Sequence, residues 1–100
     1  MYKRQVNLPP TTGITSPANN ASFARGAAIT INATAADSDG TIRKVEFFRA
    51  DGATKLGEDT TAPYSYRWTG AAAGTHNLRV KATDNSGAVT TSARVRVTVR

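Results

Sequence analysis

The residues of this 100-residue chain best suited to holding an ion lie in two acidic turns, Asp37-Ser-Asp-Gly40 and Asp84-Asn-Ser-Gly87. Calcium is bound by about six to eight oxygen ligands drawn from carboxylates, amides and backbone carbonyls. If the two turns meet in space, Asp37, Asp39 and Asp84 converge, and Asn85 or backbone carbonyls complete such a shell. A second, simpler reading needs no ion. Asp, Asn, Ser and Gly form turns because their short side chains bond the local backbone and glycine accepts positive φ. Neither segment has the D-x-D-x-D-G spacing of a calcium loop. Calcium is therefore a candidate, and no other cofactor is expected.

A basic face is the second candidate. Lys44, Arg79, Lys81, Arg94 and Arg96 fall at outward positions of one sheet, with Phe48 among them and Glu46 as the main opposing charge. The formal net charge is +6. Such a face suits an anionic polysaccharide, or phosphates held by a salt-sensitive electrostatic attraction. The alternative is a solvated face on which positive charge discourages edge pairing. Nucleic acid is not expected as a partner, since no platform of several exposed aromatics is evident. Tyr64, Tyr66 and Trp68 form a third candidate, a sugar-stacking row. All three share one parity, however, and Trp68 belongs inside, so the core reading is favoured. Tyr64, at the strand entry, is the ring expected to be partly exposed.

Catalysis is not expected. The chain has no cysteine and a single histidine, His76, at an inward position. A serine triad needs an accessible histidine beside a serine and a carboxylate. Glycoside hydrolysis needs two acids flanking a cleft, whereas Asp37 and Asp39 share a surface turn and Glu58-Asp59 reads as loop charge. No phosphate-cradling glycine motif is present. Lys44, Lys55 and Lys81 lie outward or on loops, which disfavours an internal Lys–Asn crosslink. Asn20-Ala-Ser22 and Asn32-Ala-Thr34 match the glycosylation pattern by coincidence of composition. No apolar run approaches a membrane span, no signal peptide is legible, and a monomer without membrane contact is expected.

The elements that must position these residues are short strands. Thr12 to Ser16 reads as a first strand stopped by Pro17, Ala18-Asn-Asn-Ala21 as a turn, and Ser22-Phe23 as an edge segment with Phe23 plugging the core. Ile29, Ile31, Ala33 and Ala35 alternate with Thr30, Asn32 and Thr34, the period of a half-buried strand. Ile42 to Arg49 follows, with Val45 and Phe47 inward and Lys44, Glu46 and Phe48 outward. Asp51-Gly52 is a hairpin signal. A short strand surrounds Leu56, and Tyr64 to Trp68 is another. Leu78, Val80 and Ala82 mark the next, and a last strand carries Val89, Val95, Val97 and Val99. No stretch has helical spacing. About seven strands, with turns roughly every 8–12 residues, predict an all-β sandwich. Ile29, Ile31, Ala33 and Trp68 form one inner face, and Val45, Phe47, Leu78, Val80, Val95 and Val97 the other.

Several blocks carry a resemblance: Ile14-Thr-Ser-Pro-Ala-Asn19, Ala33-Thr-Ala-Ala-Asp-Ser-Asp-Gly-Thr41, Lys44-Val-Glu-Phe-Phe48, Thr60-Thr-Ala-Pro-Tyr-Ser-Tyr66 and Ala82-Thr-Asp-Asn-Ser-Gly87. Together they resemble the bacterial Ig-like domains attached to secreted glycoside hydrolases, chitinases and surface proteins. The match runs from about Thr11 to Val99. It implies an immunoglobulin or fibronectin type III-like sandwich in an extracellular or cell-surface multidomain parent, whose partners are its neighbouring domains. One departure is His76, where these domains often have a tyrosine that bonds back to a nearby corner. Residues 1–10 read as an appendage to a domain at 11–100. Tyr2-Lys-Arg-Gln5 is also what a reading frame of a common transposase adapter encodes, so residues 1–5 are read as an assembly scar on a metagenomic fragment. Val6 to Pro10 reads as a linker stiffened by Pro9-Pro10. The expected role is a non-catalytic spacer or accessory module. The alternatives are a polysaccharide-binding module using the basic face, or an adhesin repeat.

Overall fold

The computed structural model describes residues 8–38, 40–49 and 53–100. The scar at residues 1–5, the start of the linker, Asp39 and the Asp51-Gly52 hairpin signal lie outside the described residues. Nine strands run in chain order: β1 (Thr11–Ser16), β2 (Ala21–Phe23), β3 (Ile29–Ala36), β4 (Ile42–Arg49), β5 (Thr54–Asp59), β6 (Tyr64–Trp68), β7 (Gly74–Asp84), β8 (Val89–Thr91) and β9 (Val95–Val99). One sheet has the order β1-β3-β6, and the other β2-β9-β7-β4-β5, with β8 also paired to β7. β2 joins β9 in parallel; the other pairings are antiparallel.

Alternation builds the core. In β3, Ile29, Ile31 and Ala33 are buried while Thr30, Asn32 and Thr34 face solvent. Across the ladder Ile29 meets Trp68, Ile31 meets Tyr66 and Ala33 meets Tyr64. Such aromatic–aliphatic pairs are the units of sheet stabilisation. The second sheet contributes Val45, Phe47, Leu78, Val80 and Val97, all without exposed surface, and the two inner faces close into one cluster. Each such side chain contributes about 1.5–3 kcal/mol by leaving water.

Two expectations are corrected, one about a side chain and one about a strand. Tyr64 is buried, and Tyr66 is the half-exposed ring. Tyr64 faces the small Ala33, which leaves it room in the core. Tyr66 instead closes the open side between the edge strands β6 and β5. It stacks on Phe47 at 5.9 Å and lies so close to Gly57 that a Cβ there would sit 2.5 Å from the ring.

The second correction concerns the last strand, which is two. β8 pairs with β7 in the register Thr83–Val89, and β9 in the register Leu78–Val95, a slip of one residue. Because side chains alternate with period two, that slip moves Val89 to the outer face, where it is 53% exposed. Ser92 occupies the break and is buried. Its backbone N–H donates to Val80 O at 2.8 Å. Its hydroxyl accepts the Val80 N–H at 3.0 Å and donates to Ala93 O at 2.9 Å. A side chain thus replaces a ladder carbonyl. Ser92→Ala is expected to cost about 1–3 kcal/mol, the penalty for stranding a buried N–H, as read from urea unfolding.

The ladders also fix where the chain enters and leaves. Thr11 pairs with Ala36, at the end where β3 runs into the Asp37 turn. Val99 pairs with Gly74, at the end where β6 passes to β7. Entry and exit lie at opposite ends of the sandwich. Pro10 is already buried, and the Arg100 N–H is held by Phe23 O at 2.9 Å.

Candidate functional site

The two acidic turns meet, as the strand order requires. Ile42 pairs with Asp84, the Asn85 N–H donates to Thr41 O at 2.9 Å, and Asn85 Oδ1 accepts the Thr41 N–H at 3.1 Å. Asp84 is fully buried. Its Oδ1 accepts the N–H groups of Ser86 at 2.9 Å and Ala88 at 2.8 Å. Gly87, at φ 96°, donates its N–H to Asp84 O at 3.1 Å and completes the turn. Two of the four candidate ligands, Asp84 and Asn85, therefore spend side-chain oxygens on backbone N–H groups. Asp37 is half-buried at the end of β3, and Asp39 lies outside the described residues. Among the described residues no group of three or more His, Cys, Asp or Glu side chains gathers.

The basic face resolves into two parts. In the first, the Lys55 ammonium lies 2.8 Å from Glu46 and 2.6 Å from Glu58, with Lys44 3.7 Å from Glu46. Glu46 stands across the ladder from Lys81, yet it pairs with these two lysines. Lys81 instead sets its ammonium 4.8 Å from the centre of the Phe48 ring, a cation–π contact that occupies a face of this aromatic.

Charge pairing sets the titration of the strip. Hydrogen bonds that Lys55 donates to the Glu46 and Glu58 carboxylates hold it above its ordinary value of 10.5, and Lys55 holds the Glu58 carboxyl below the usual carboxylate range. The lowered Glu58 contributes stability above its ordinary pKa and loses it as pH falls through the depressed value. The raised Lys55 contributes below 10.5 and loses it as pH rises through the elevated value. Both contributions are intact at neutral pH and screened by salt. In Lys55→Gln the Glu58 carboxyl is expected to titrate higher, as followed by NMR.

In the second part, Arg79, Arg94 and Arg96 line a shallow depression of about 530 Å³ together with Asn19 and Asn20. Arg79 follows Leu78 and Arg94 precedes Val95, the pair that closes the β7–β9 ladder, so the two arginines leave it side by side. The Arg79 Nη1 donates to Ser92 O at 2.9 Å, anchoring the guanidinium on the β8–β9 break. Asn19 Oδ1 accepts the Arg96 N–H at 2.8 Å, and the Asn20 N–H donates to Arg96 O at 2.7 Å. Of the six residues expected on one basic face, only these three arginines share the depression; Lys44, Phe48 and Lys81 do not line it. Asn19 and Asn20 were not foreseen. Their turn was legible, with Asn20 at φ 70°, but nothing local reports a contact 77 residues away in the chain.

His76 bonds back to the connection between β6 and β7. Its Nε2 donates to Ala72 O at 2.7 Å, a bond that assigns the proton because the carbonyl can only accept. The ring meets Trp68 edge-on at 5.0 Å. Both contacts are packing roles, beside a depression of about 190 Å³ lined by Arg49, Trp68, Gly70, Ala71, Ala72 and His76.

Two packed sheets, an inner tryptophan and a corner bond define an immunoglobulin-like sandwich of the fibronectin III kind. The chain belongs to the bacterial Ig domain family, whose model matches residues 10–80. Among solved structures it is similar to the fibronectin(III)-like modules of Clostridium thermocellum CbhA, at 37% identity and a TM-score of 0.86, over 96% of this chain and 49% of that one. Its fold is also similar to parts of two larger proteins. One is the endo-β-1,4-mannanase of Thermotoga petrophila, at 13% identity and a TM-score of 0.72, over 93% of this chain and 20% of that one. The other is a modular endo-β-1,4-mannanase from Cellulomonas fimi, at 18% identity and a TM-score of 0.65, over 95% and 19%. The chain thus spans about half the CbhA chain and about a fifth of each mannanase. No curated protein matches it.

Proposed function

We propose that this Ig-like domain is a non-catalytic spacer and accessory module of a secreted multidomain bacterial protein that acts on carbohydrate. The observation that carries the reading is the placement of entry and exit at opposite ends of the sandwich, each tied into a ladder at Thr11–Ala36 and Gly74–Val99. A domain joined in this way holds its two neighbours apart at a fixed distance. Similarity to CbhA modules over nearly the whole chain supports the same role. The core placement of Trp68 and Tyr64 and the lysine over Phe48 leave no row of open rings for stacking on neutral sugars among the described residues. The partners in this reading are the neighbouring domains, the domain is a monomer, and no metal is required.

Two measurements test it. Residues 1–100 mixed with insoluble chitin or cellulose at high salt are expected to stay in solution; retention on either would overturn the spacer role in favour of a sugar-binding one. Melting with millimolar calcium and with chelator is expected to give one midpoint. A higher midpoint in calcium, the signature of a ligand bound by the native state, would replace turn chemistry with a cation shell at Asp37, Asp39, Asp84 and Asn85.

A further inference from the structure

We propose that the depression formed by Arg79, Arg94, Arg96, Asn19 and Asn20 is a binding site for the carboxylate or sulfate groups of an acidic polysaccharide. This goes beyond the spacer role, which needs no ligand. The site is assembled from three parts of the chain. β7 supplies Arg79, β9 and the break before it supply Arg94 and Arg96, and the turn before β2 supplies the asparagines. Three guanidinium groups share one concavity whose described lining contains no carboxylate. An oxyanion seated there meets guanidinium donors from β7, from β9 and from the break before it. Guanidinium is the group best matched to such an anion, since its planar fork donates two parallel hydrogen bonds to one carboxylate or sulfate.

Two features hold the site in shape before any ligand arrives. Arg79 is anchored to Ser92 O, and the asparagine turn is stapled to the Arg96 backbone by the Asn19 side-chain oxygen and the Asn20 N–H. Preorganisation of this sort reduces the ordering cost of binding. The described lining carries amide groups beside the cations and no aromatic ring. That set suits a polymer bearing hydroxyls next to its anion, and it lacks the stacking surface that single-stranded nucleic acid uses.

Affinity electrophoresis of residues 1–100 through gels containing polygalacturonate, dextran sulfate or uncharged dextran tests the proposal. Retardation is expected with both anionic polymers, not with dextran, and is expected to weaken with salt. Arg94→Gln/Arg96→Gln is expected to lose at least about tenfold in affinity, which is about 1.4 kcal/mol. Arg25→Gln/Arg67→Gln removes the same charge from exposed positions outside the depression and is expected to bind as the parent does. Melting curves establish that both variants fold. Equal weakening of the two variants would overturn the site in favour of diffuse attraction, and absence of retardation would overturn binding outright. Tighter retention of an oligothymidylate than of either polymer would overturn the polysaccharide assignment. None of these outcomes bears on the spacer role, which the neutral polymers test separately.

Discussion

Trp68→Ala is expected to destabilise the domain by about 3–5 kcal/mol, the range for removing a large buried aromatic. Domains of this kind have about 5–15 kcal/mol in total, so the variant sits near the edge of folding. Trp68 is 6% exposed and stands across the ladder from Ile29. It also offers its ring to the edge of His76. Truncation therefore opens a cavity and removes the support of a second ring, the one that bonds Ala72 O. Trp68→Phe, which keeps an apolar ring, is expected to lose a smaller part. Urea unfolding followed by far-ultraviolet circular dichroism reads the difference without relying on tryptophan emission. A loss below about 1 kcal/mol, the level of a volume-conserving swap, would show that the two sheets are held together elsewhere.

Asp84→Ala is expected to cost about 2–6 kcal/mol, because it strands two N–H donors that one carboxylate oxygen now serves, at about 1–3 kcal/mol each. The donors belong to Ser86 and Ala88, on either side of the positive-φ Gly87. Asp84→Asn retains an oxygen at that place and is expected to recover most of the loss. Amide hydrogen exchange gives a local readout: protection at Ser86 and Ala88 is expected to fall in the alanine variant before the core strands respond. A variant that melts like the parent would show that the carboxylate does not hold the turn.

The inner faces were legible because alternation is a local property. Ile29 to Ala33, Val45 to Phe47 and Leu78 to Val80 each announce their buried side within a few residues, and the aromatic parity of Tyr64 to Trp68 does the same. What escaped was set by contacts distant in sequence. The β8–β9 break contains neither glycine nor proline, so Val89 and Val95 read as one strand; only the register against β7 separates them. Tyr64 and Tyr66 have the same parity, and their exposures differ through Ala33 on one side and Gly57 on the other. The basic face was legible as a parity class. Its division was not, because whether Glu46 answers Lys81 or Lys55 depends on where β5 lies.

The placement of the two chain ends has a mechanical consequence. Tension drawn through neighbouring domains would pull β1 outward at Thr11 and β9 outward at Val99, each along its own axis. β1 then slides lengthwise against β3, and β9 against β7 and β2, so the hydrogen bonds of a ladder carry the load together. Strands peeled sideways would lose those bonds one at a time. Forced unfolding is governed by the rate of crossing the barrier and not by equilibrium stability. A sandwich loaded in shear therefore resists extension as one stiff unit.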